Sequence, residues 1–404
     1  MELKPGYKQT EVGVIPEDWD VKRLGEIGKV VRGGSPRPAG DPKFFDGDFI
    51  PWLTVAALTN IPDHQLEVRH TETRLTEEGS KRSRTLQPGT VIIANSGATL
   101  GIAKVSIIEC CANDGVAAII DQHVGEKAFV CHCINAQTQR LREVVATGNG
   151  QPNLNTGLIK EIAIPWPPQT EQAAIAECIS DLDKLLRCLE EAVVKKQRLK
   201  QAIMQELLTG KRRLPGFQGE WEVKRLGDVL KFQVGCPFSS AFFNDKEQGL
   251  RLVKNRDLKS DDQVFHYSGK YDQSFQVIDG DVLVGMDGDF FPCRWGKGLA
   301  LLNQRVGRIV PMRGLNRSFA FYYLLGPLKE IESTTSGTTV KHLSHGDIED
   351  IEKPLPSVPE QNSIAAVLIE MDAELAVLEQ RLEKTCALKQ GMMQQLLTGK
   401  FRLR

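Results

Sequence analysis

Cysteine and histidine come closest together at Cys131, His132 and Cys133, about twenty residues after the adjacent Cys110 and Cys111. Thiolates and an imidazole could ligate zinc. A zinc knuckle, however, uses Cys-x-x-Cys spacing, and the second half of the chain has no equivalent group. With Cys178, Cys188, Cys236, Cys293 and Cys386 the total is nine, odd and irregularly spaced. That pattern fits buried, reduced thiols, with zinc as the alternative. Phosphate chemistry fares no better. TGKR (209–212) and TGKF (398–401) look like the end of a GxxxxGK[ST] loop, but Gln205 and Gln394 stand where the first glycine belongs. Arg212 and Phe401 stand where Ser or Thr belongs, so both stretches read as helix C-caps. PDHQLEVR (62–69) is a loose nuclease-like carboxylate pattern that ends in Arg69 where Lys is wanted, and it reads as a solvated turn. His342 and His345 lack a carboxylate or cysteine constellation, and no NPPF- or DPPY-type tetrapeptide of an adenine methyltransferase occurs. The residues favour a binding protein over an enzyme.

The elements that must position any binding residues are written twice. WDVKRLGEI (19–27) returns as WEVKRLGDV (221–229), with six of nine positions identical. PGTVIIANSG (88–97) matches DGDVLVGMDG (279–288), and LIKEIAIPWPPQTEQAAIA (158–176) matches DIEDIEKPLPSVPEQNSIA (347–365). LLTGK at 207–211 returns at 396–400, so the offset falls from 202 to 191 to 189. An internal repeat of this kind means two copies of one structural unit. Each copy opens with a segment of short β-branched runs such as TVIIA and DVLVG, which read as strands between turns. Proline-rich punctuation follows, and then a long helix with Glu in its first turn.

The helices carry a heptad seam. Ile175, Ile179, Leu182, Leu186, Leu189, Val193, Ile203 and Leu207 recur at alternating intervals of four and three, as do Ile364, Leu368, Met371, Leu375, Leu378, Leu382, Met392 and Leu396. Lys196 and Lys200 interrupt the first seam where Thr385 and Lys389 interrupt the second. A helix over about 171–208 is ~57 Å long at 1.5 Å per residue, too long for the inside of a small domain. Each helix is acidic at its start (Glu171, Glu177, Asp181, Asp183; Glu370, Asp372, Glu374, Glu379) and basic later (Lys195, Lys196, Arg198, Lys200; Lys384, Lys389). An antiparallel pair sets acid against base, although each helix's own dipole favours the same gradient. The expected fold is α+β: two similar heads joined by an antiparallel coiled coil, with a pseudo-two-fold internal repeat. The expected boundaries are 1–168 and 211–356 for the heads, and 169–210 and 357–404 for the helices.

Two similar heads at a fixed separation suit a bipartite DNA site, because head spacing then sets half-site spacing. The balance of 51 basic and 52 acidic residues, net −1, argues weakly against a protein coated in nucleic acid but allows a local basic groove. A coiled-coil scaffold that joins two protein partners without DNA is the alternative. No run of 18 apolar residues or apolar signal core is present in the sequence, so a cytoplasmic protein without a membrane span is expected.

The twin WxVKRLG phrases, the IPWPPQTEQ and LPSVPEQ passages and the twin LLTGK endings, in order and across essentially the whole chain, resemble the specificity subunits of type I restriction–modification systems. The resemblance implies two target recognition domains, each reading one half of a split site on double-stranded DNA, and no catalytic activity. It implies recruitment of two modification subunits, which hold S-adenosylmethionine and methylate adenine at N6, followed by motor-nuclease restriction subunits. No cofactor would be held by this chain.

Phosphates call for Lys and Arg, and base edges for Arg, Lys, Asn, Gln, Ser and Thr. In head one the candidates are Arg32, Ser35 and Arg37; Arg69 and Arg74; Lys81, Arg82 and Arg84; Ser96 and Thr99; and Asn149, Gln151 and Asn153. In head two they are Lys254, Asn255 and Arg256; Arg294 and Lys297; and Thr338, Thr339 and Lys341. NSGAT in head one becomes MDGDF in head two, where Asp287 or Asp289 either accepts from cytosine N4 or is a turn residue. The WxVKRLG phrase, shared by both heads, is expected to build the frame, with Trp19 and Trp221 anchoring each head.

Overall fold

A computed structural model describes residues 5–97, 99–145, 153–334 and 342–403. It contains two compact units: Met1–Ala192 with Leu378–Arg404, and Val193–Val377. Each unit therefore holds one head, the first part of the helix that follows it, and the last part of the other long helix.

Head one is built on a five-stranded sheet in the order Lys29–Arg32, Val116–Ile120, Thr90–Ala94, Ala103–Ser106, Glu67–Val68. TVIIA is the middle strand and all five of its residues are buried, which is why it reads as a continuous apolar run instead of alternating. A second sheet holds Thr73–Leu75, Phe45–Leu53, Cys110–Ala112 and Arg84–Leu86. Head two repeats the core of this plan. Its strands Leu230–Val234, Val306–Pro311, Val282–Gly285 and Pro292–Arg294 correspond in order to the first four of head one. In both heads the second sheet pairs two strands in parallel, Cys111 beside Trp52 and Leu301 beside Leu252.

The repeated phrase forms an edge of this frame. Asp20–Arg23 pairs antiparallel with Ala163–Trp166, the strand that leads into the first long helix. Glu222–Arg225 pairs with Glu352–Leu355 in the same way before the second helix. The long helices are Gln169–Leu207 and Val358–Leu396, 39 residues each. The seam residues Ile175, Ile179, Leu186, Leu189, Ile364, Leu368 and Met371 are buried, while Leu182, Leu375 and Leu378 are half-buried. Fully burying one such side chain is worth about 2 kcal/mol.

Where the helices meet within each unit they run antiparallel. Lys389 Nζ lies 2.6 Å from Asp183 Oδ1 in the first unit, and Lys200 pairs with Asp372 and Lys196 with Glu374 in the second. Three of the four polar interruptions of the seam thus meet acid from the opposing helix, whereas the Thr385 hydroxyl donates to Arg381 O of its own helix at 2.8 Å. Lys389–Asp183 and Lys200–Asp372 are repeat-equivalent pairs, each partner 189 residues from its counterpart. Both helices end as C-caps. Gly210 and Gly399 take positive φ (71° and 66°), and Thr209 and Thr398 donate to the carbonyls of Gln205 and Gln394 at 2.6 Å.

Candidate nucleic-acid interface

Each head is fastened to the helices by the same clamp. In the first unit Trp19 is fully buried and its Nε1 donates to Glu171 Oε2 at 3.1 Å. Arg402, beyond the end of the second long helix, grips the same carboxylate through Nε (2.6 Å) and Nη2 (2.8 Å), lies over the Trp19 ring, and also reaches Asp18. The two acids push the Arg402 pKa further up. In the second unit Trp221 donates to Glu360 at 3.2 Å, and Arg213, beyond the end of the first long helix, holds Glu360 at 2.5 and 2.7 Å. Beside each glutamate sits a glutamine. Gln172 accepts from Glu126 N–H and donates to Pro167 O; Gln361 accepts from Asn316 N–H and donates to Pro356 O. The EQ pair in QTEQ and VPEQ is therefore the bolt between helix and head. In the sequence its glutamate reads as a helix-start signal, and Glu171 also as part of the acidic start of its helix. Arg213 and Arg402 follow their helices at equal intervals, which was the available clue.

At the ends of the central strands the heads share a second lattice, made of main chain. Gly33 N–H donates to Val116 O and Gly34 N–H to Ala112 O; Gly235 and Cys236 do the same to Val306 and Leu302. A Cβ on Gly33 would come within 2.1 Å of Asn113 O, and one on Gly235 within 2.1 Å of Asn303 O, so both strand ends require glycine. Asn95 N–H donates to Gly115 O, and Met286 N–H to Arg305 O. Ser96 bridges Asn153 antiparallel, and Asp287 bridges His342. These matches define one tip on each head, with Gly115 register-equivalent to Arg305, Ser96 to Asp287 and Asn153 to His342.

Four of the sequence candidates converge on the tip of head one. Ser35 Oγ donates to Asp114 Oδ1 at 2.7 Å, Arg32 Nε to Asp114 O at 2.5 Å, and Arg37 lies 3.6 Å from Asp114 Oδ2. Arg84 Nε donates to Arg32 O at 2.8 Å. Ser96 and Asn153 adjoin this group through their bridge, and Asn95 donates to Asp114 O. At the tip of head two, Asn255 Nδ2 donates to Asp287 O at 2.7 Å. Arg305 Nη1 lies 3.2 Å from Asp287 Oδ1, and His342 Nδ1 lies 2.9 Å from the same oxygen. Asp114 and Arg305 were missed in the sequence. Both lie in three-residue loops, Asn113-Asp-Gly and Asn303-Gln-Arg, 190 residues apart, too short to stand out as motifs.

The remaining candidates lie apart from these contacts. Arg69 pairs with Glu67, Arg74 donates to the carbonyls of Asp48 and Phe49, and Lys81 pairs with Glu77 and Glu78. Arg82 stacks over the Phe44 ring at 4.7 Å. Thr99 is buried, its hydroxyl 3.1 Å from that of Thr59. Lys254 sits 3.3 Å above the Phe265 ring, with Arg256 also over that ring; burial and Arg256 push the Lys254 pKa down. Arg294 packs over Phe321 and Tyr322, and Lys297 pairs with Asp261 at 2.7 Å. Asp289 pairs with Lys259. Asn149, Gln151, Thr338, Thr339 and Lys341 lie outside the described residues.

Cys131, His132 and Cys133 lie on the helix Lys127–Asn135, buried in the core of the first unit. Burial pushes the Cys131 thiol up to about 12 and raises Cys133 as well, so both are held as thiols, whereas zinc binds the thiolate. Their counterparts in head two, on the helix Arg317–Tyr323, are Phe321, Tyr322 and Tyr323, which are core aromatics. All nine cysteines are unpaired. Among the described residues no three His, Cys, Asp or Glu side chains converge to hold a metal, and no helix is long and apolar enough to cross a membrane.

Two like heads on paired long helices, each with polar and cationic side chains gathered at one tip, define a two-headed nucleic-acid reader. A family model described as the type I restriction modification DNA specificity domain matches the chain twice, over residues 16–200 and 218–385, and the chain belongs to that family. It is similar to the type I restriction enzyme MjaIX specificity subunit of Methanocaldococcus jannaschii, 28% identical over 90% of each chain. The putative MjaX specificity subunit of the same organism is 24% identical over 98% of this chain and 97% of its own. The EcoBI specificity subunit of Escherichia coli is 35% identical over 46% of this chain and 41% of its own. The fold matches the solved type I S subunit from M. genitalium at a TM-score of 0.60, with 14% identity over 98% of each chain. A chain solved in work on type I R-M complex assembly matches at the same score, with 18% identity over 96% of this chain and 99% of the other. The molecule is a specificity subunit of a type I restriction–modification system, and its heads are DNA-sequence recognition domains.

Proposed function

We propose that this chain is the non-catalytic reading subunit of its complex, with residues 1–168 and 211–356 each reading one half of a bipartite, asymmetric double-stranded DNA site. The observation that carries this reading is the contrast within the repeat: the clamp is the same in both units, while the side chains at the tips differ. Helices 169–210 and 357–404 set the spacing. They also carry outward apolar residues, among them Leu185, Val194, Leu199, Val377 and Leu388, which suit docking of further subunits. Two modification subunits bind there, hold S-adenosylmethionine and methylate adenine at N6; restriction subunits then complete the nuclease. The chain itself holds no cofactor and works in the cytoplasm, where the DNA is.

The test is a modified-base map of the host genome with and without this gene, repeated with the neighbouring modification gene co-expressed. The expected result is N6-methyladenine at one split, asymmetric motif that disappears with the gene. Unchanged methylation in both backgrounds would overturn the reading in favour of a scaffold that does not touch DNA.

A further inference from the structure

The tip of head two holds an arrangement that head one lacks. Arg305, Asp287 and His342 come from three different loops and meet side chain to side chain, at 3.2 Å for Arg305–Asp287, 2.9 Å for His342–Asp287 and 3.4 Å for Arg305–His342. Arg305 is the most exposed of the three, with 57% of its side chain accessible. It also has a φ of +75°, a region that side-chain-bearing residues rarely occupy. At the equivalent position head one has glycine, where a Cβ would press within 2.5 Å of Val55 and 3.1 Å of Ser96 Oγ. Head two thus carries a strained, extended cation at a place where the shared frame accepts a bare backbone. Strain of this kind persists where function holds it.

The charges separate two possible tasks. At the tip of head one, Arg32, Arg37 and Arg84 outnumber the single carboxylate of Asp114, an excess of positive charge suited to phosphate. At the tip of head two, Arg305 is balanced by Asp287, and a neutral group is a poor phosphate ligand. Asp287 Oδ1 accepts from Arg305 Nη1 and from His342 Nδ1. Among the described residues Nε and Nη2 make no hydrogen bond, and two parallel N–H donors match the O6 and N7 acceptors of guanine in the major groove.

Resting on the specificity reading above, we propose that Arg305 reads a guanine in the half-site of head two, with Asp287 and His342 as positioning residues that aim its guanidinium. Loss of one bidentate base contact lowers discrimination at that base pair by about 5- to 150-fold. A phosphate contact would instead weaken all sequences alike and reduce the salt slope of binding by about one.

The experiment co-expresses the full chain with its modification subunit in a host free of N6-methyladenine and maps the methylated motif. The wild type is compared with Arg305→Gly, which copies head one and relieves the positive φ, with Arg305→Lys, and with Arg37→Ala as a phosphate control. The expected outcome is that Arg305→Gly converts one G·C position of a single half-site to a degenerate one and leaves the other half-site unchanged, while Arg37→Ala lowers methylation at all sites alike without making any position degenerate. Asp287→Asn should relax the same position less, since it loosens the fork without removing it. An unchanged motif in Arg305→Gly, or complete loss of methylation in both Arg305 variants, would overturn the assignment while leaving the specificity reading intact. A wild type that methylates no split motif would instead overturn that reading, and the assignment with it.

Discussion

Asn95 and Met286 make the same main-chain bonds, as do Gly115 and Arg305, yet the two tips carry different side chains. Head one gathers Arg32, Arg37 and Arg84 around Asp114; head two has Val234 in the place of Arg32 and Arg305 in the place of Gly115. Because the lattice is made of backbone N–H and C=O groups, side chains at its exposed positions can change without disturbing register. The side chains of a tip can therefore change while its fold stays fixed, and that separation lets two copies of one unit present different surfaces.

The clamp is the part of the comparison where the heads should behave alike. Glu360→Ala removes the carboxylate held by Arg213 and the Trp221 N–H and should cost the second unit about 3 kcal/mol, and Glu171→Ala removes the one held by Arg402 and the Trp19 N–H. Arg402 keeps Asp18 as a second partner, so the loss should be smaller for Glu171→Ala. Hydrogen exchange read separately on residues of each head checks this. Equal loosening of both heads by either variant would show that the clamps do not act one per head.

Deeper in, the comparison should break. His132 and Tyr322 occupy equivalent helix positions, but the Tyr322 hydroxyl donates to Asp372 at 2.5 Å, whereas His132 Nε2 is buried with no hydrogen-bond partner among the described residues. Burial, with Lys389 and Lys104 nearby, pushes the His132 pKa from 6.5 down to about 3. The unfolded chain takes up this proton below about pH 6.5 while the folded chain refuses it, so the stability of the first unit is complete above pH 6.5 and falls toward pH 3. At pH 5 the loss should be roughly 2 kcal/mol. Burial and Asp372 raise Tyr322 from 10 to about 12, so the second unit instead loses stability as pH climbs above 10. Denaturation curves of His132→Tyr against wild type at pH 7.5 and 5 test the acid limb, which the substitution should remove.

The smallest effect concerns the helix pair. Lys196–Glu374 in the second unit corresponds to Thr385 and Leu185 in the first. Glu374 is half-exposed, and such a pair is worth little. Lys196→Thr combined with Glu374→Leu should shift the denaturation midpoint by the equivalent of about 0.5 kcal/mol or less. A larger loss would mean that the pair fixes helix register in that unit.

By itself the sequence determined whatever is local or periodic. Its duplicated phrases marked two units, its buried runs marked the central strands, and its heptads, each running from acid to base, marked two long helices that pair antiparallel. Those signals survive because strand, helix and seam periodicities depend only on neighbours along the chain. The expectation that Trp19 and Trp221 anchor the heads also followed from sequence, since a residue kept in both copies belongs to the shared frame. Only the tertiary structure decided what lies far apart in the chain. Arg402 reaches back 231 residues to Glu171, and Asp287 meets His342 across 55. Nothing in the spacing of single polar residues records such meetings. The structure also split the proposed DNA contacts, bringing Arg32, Ser35, Arg37 and Arg84 to one tip while sending Thr99 and Arg294 inward. Residue type tells what a side chain can bond to; which surface it reaches is decided by strand register and loop closure, and both are products of the whole fold.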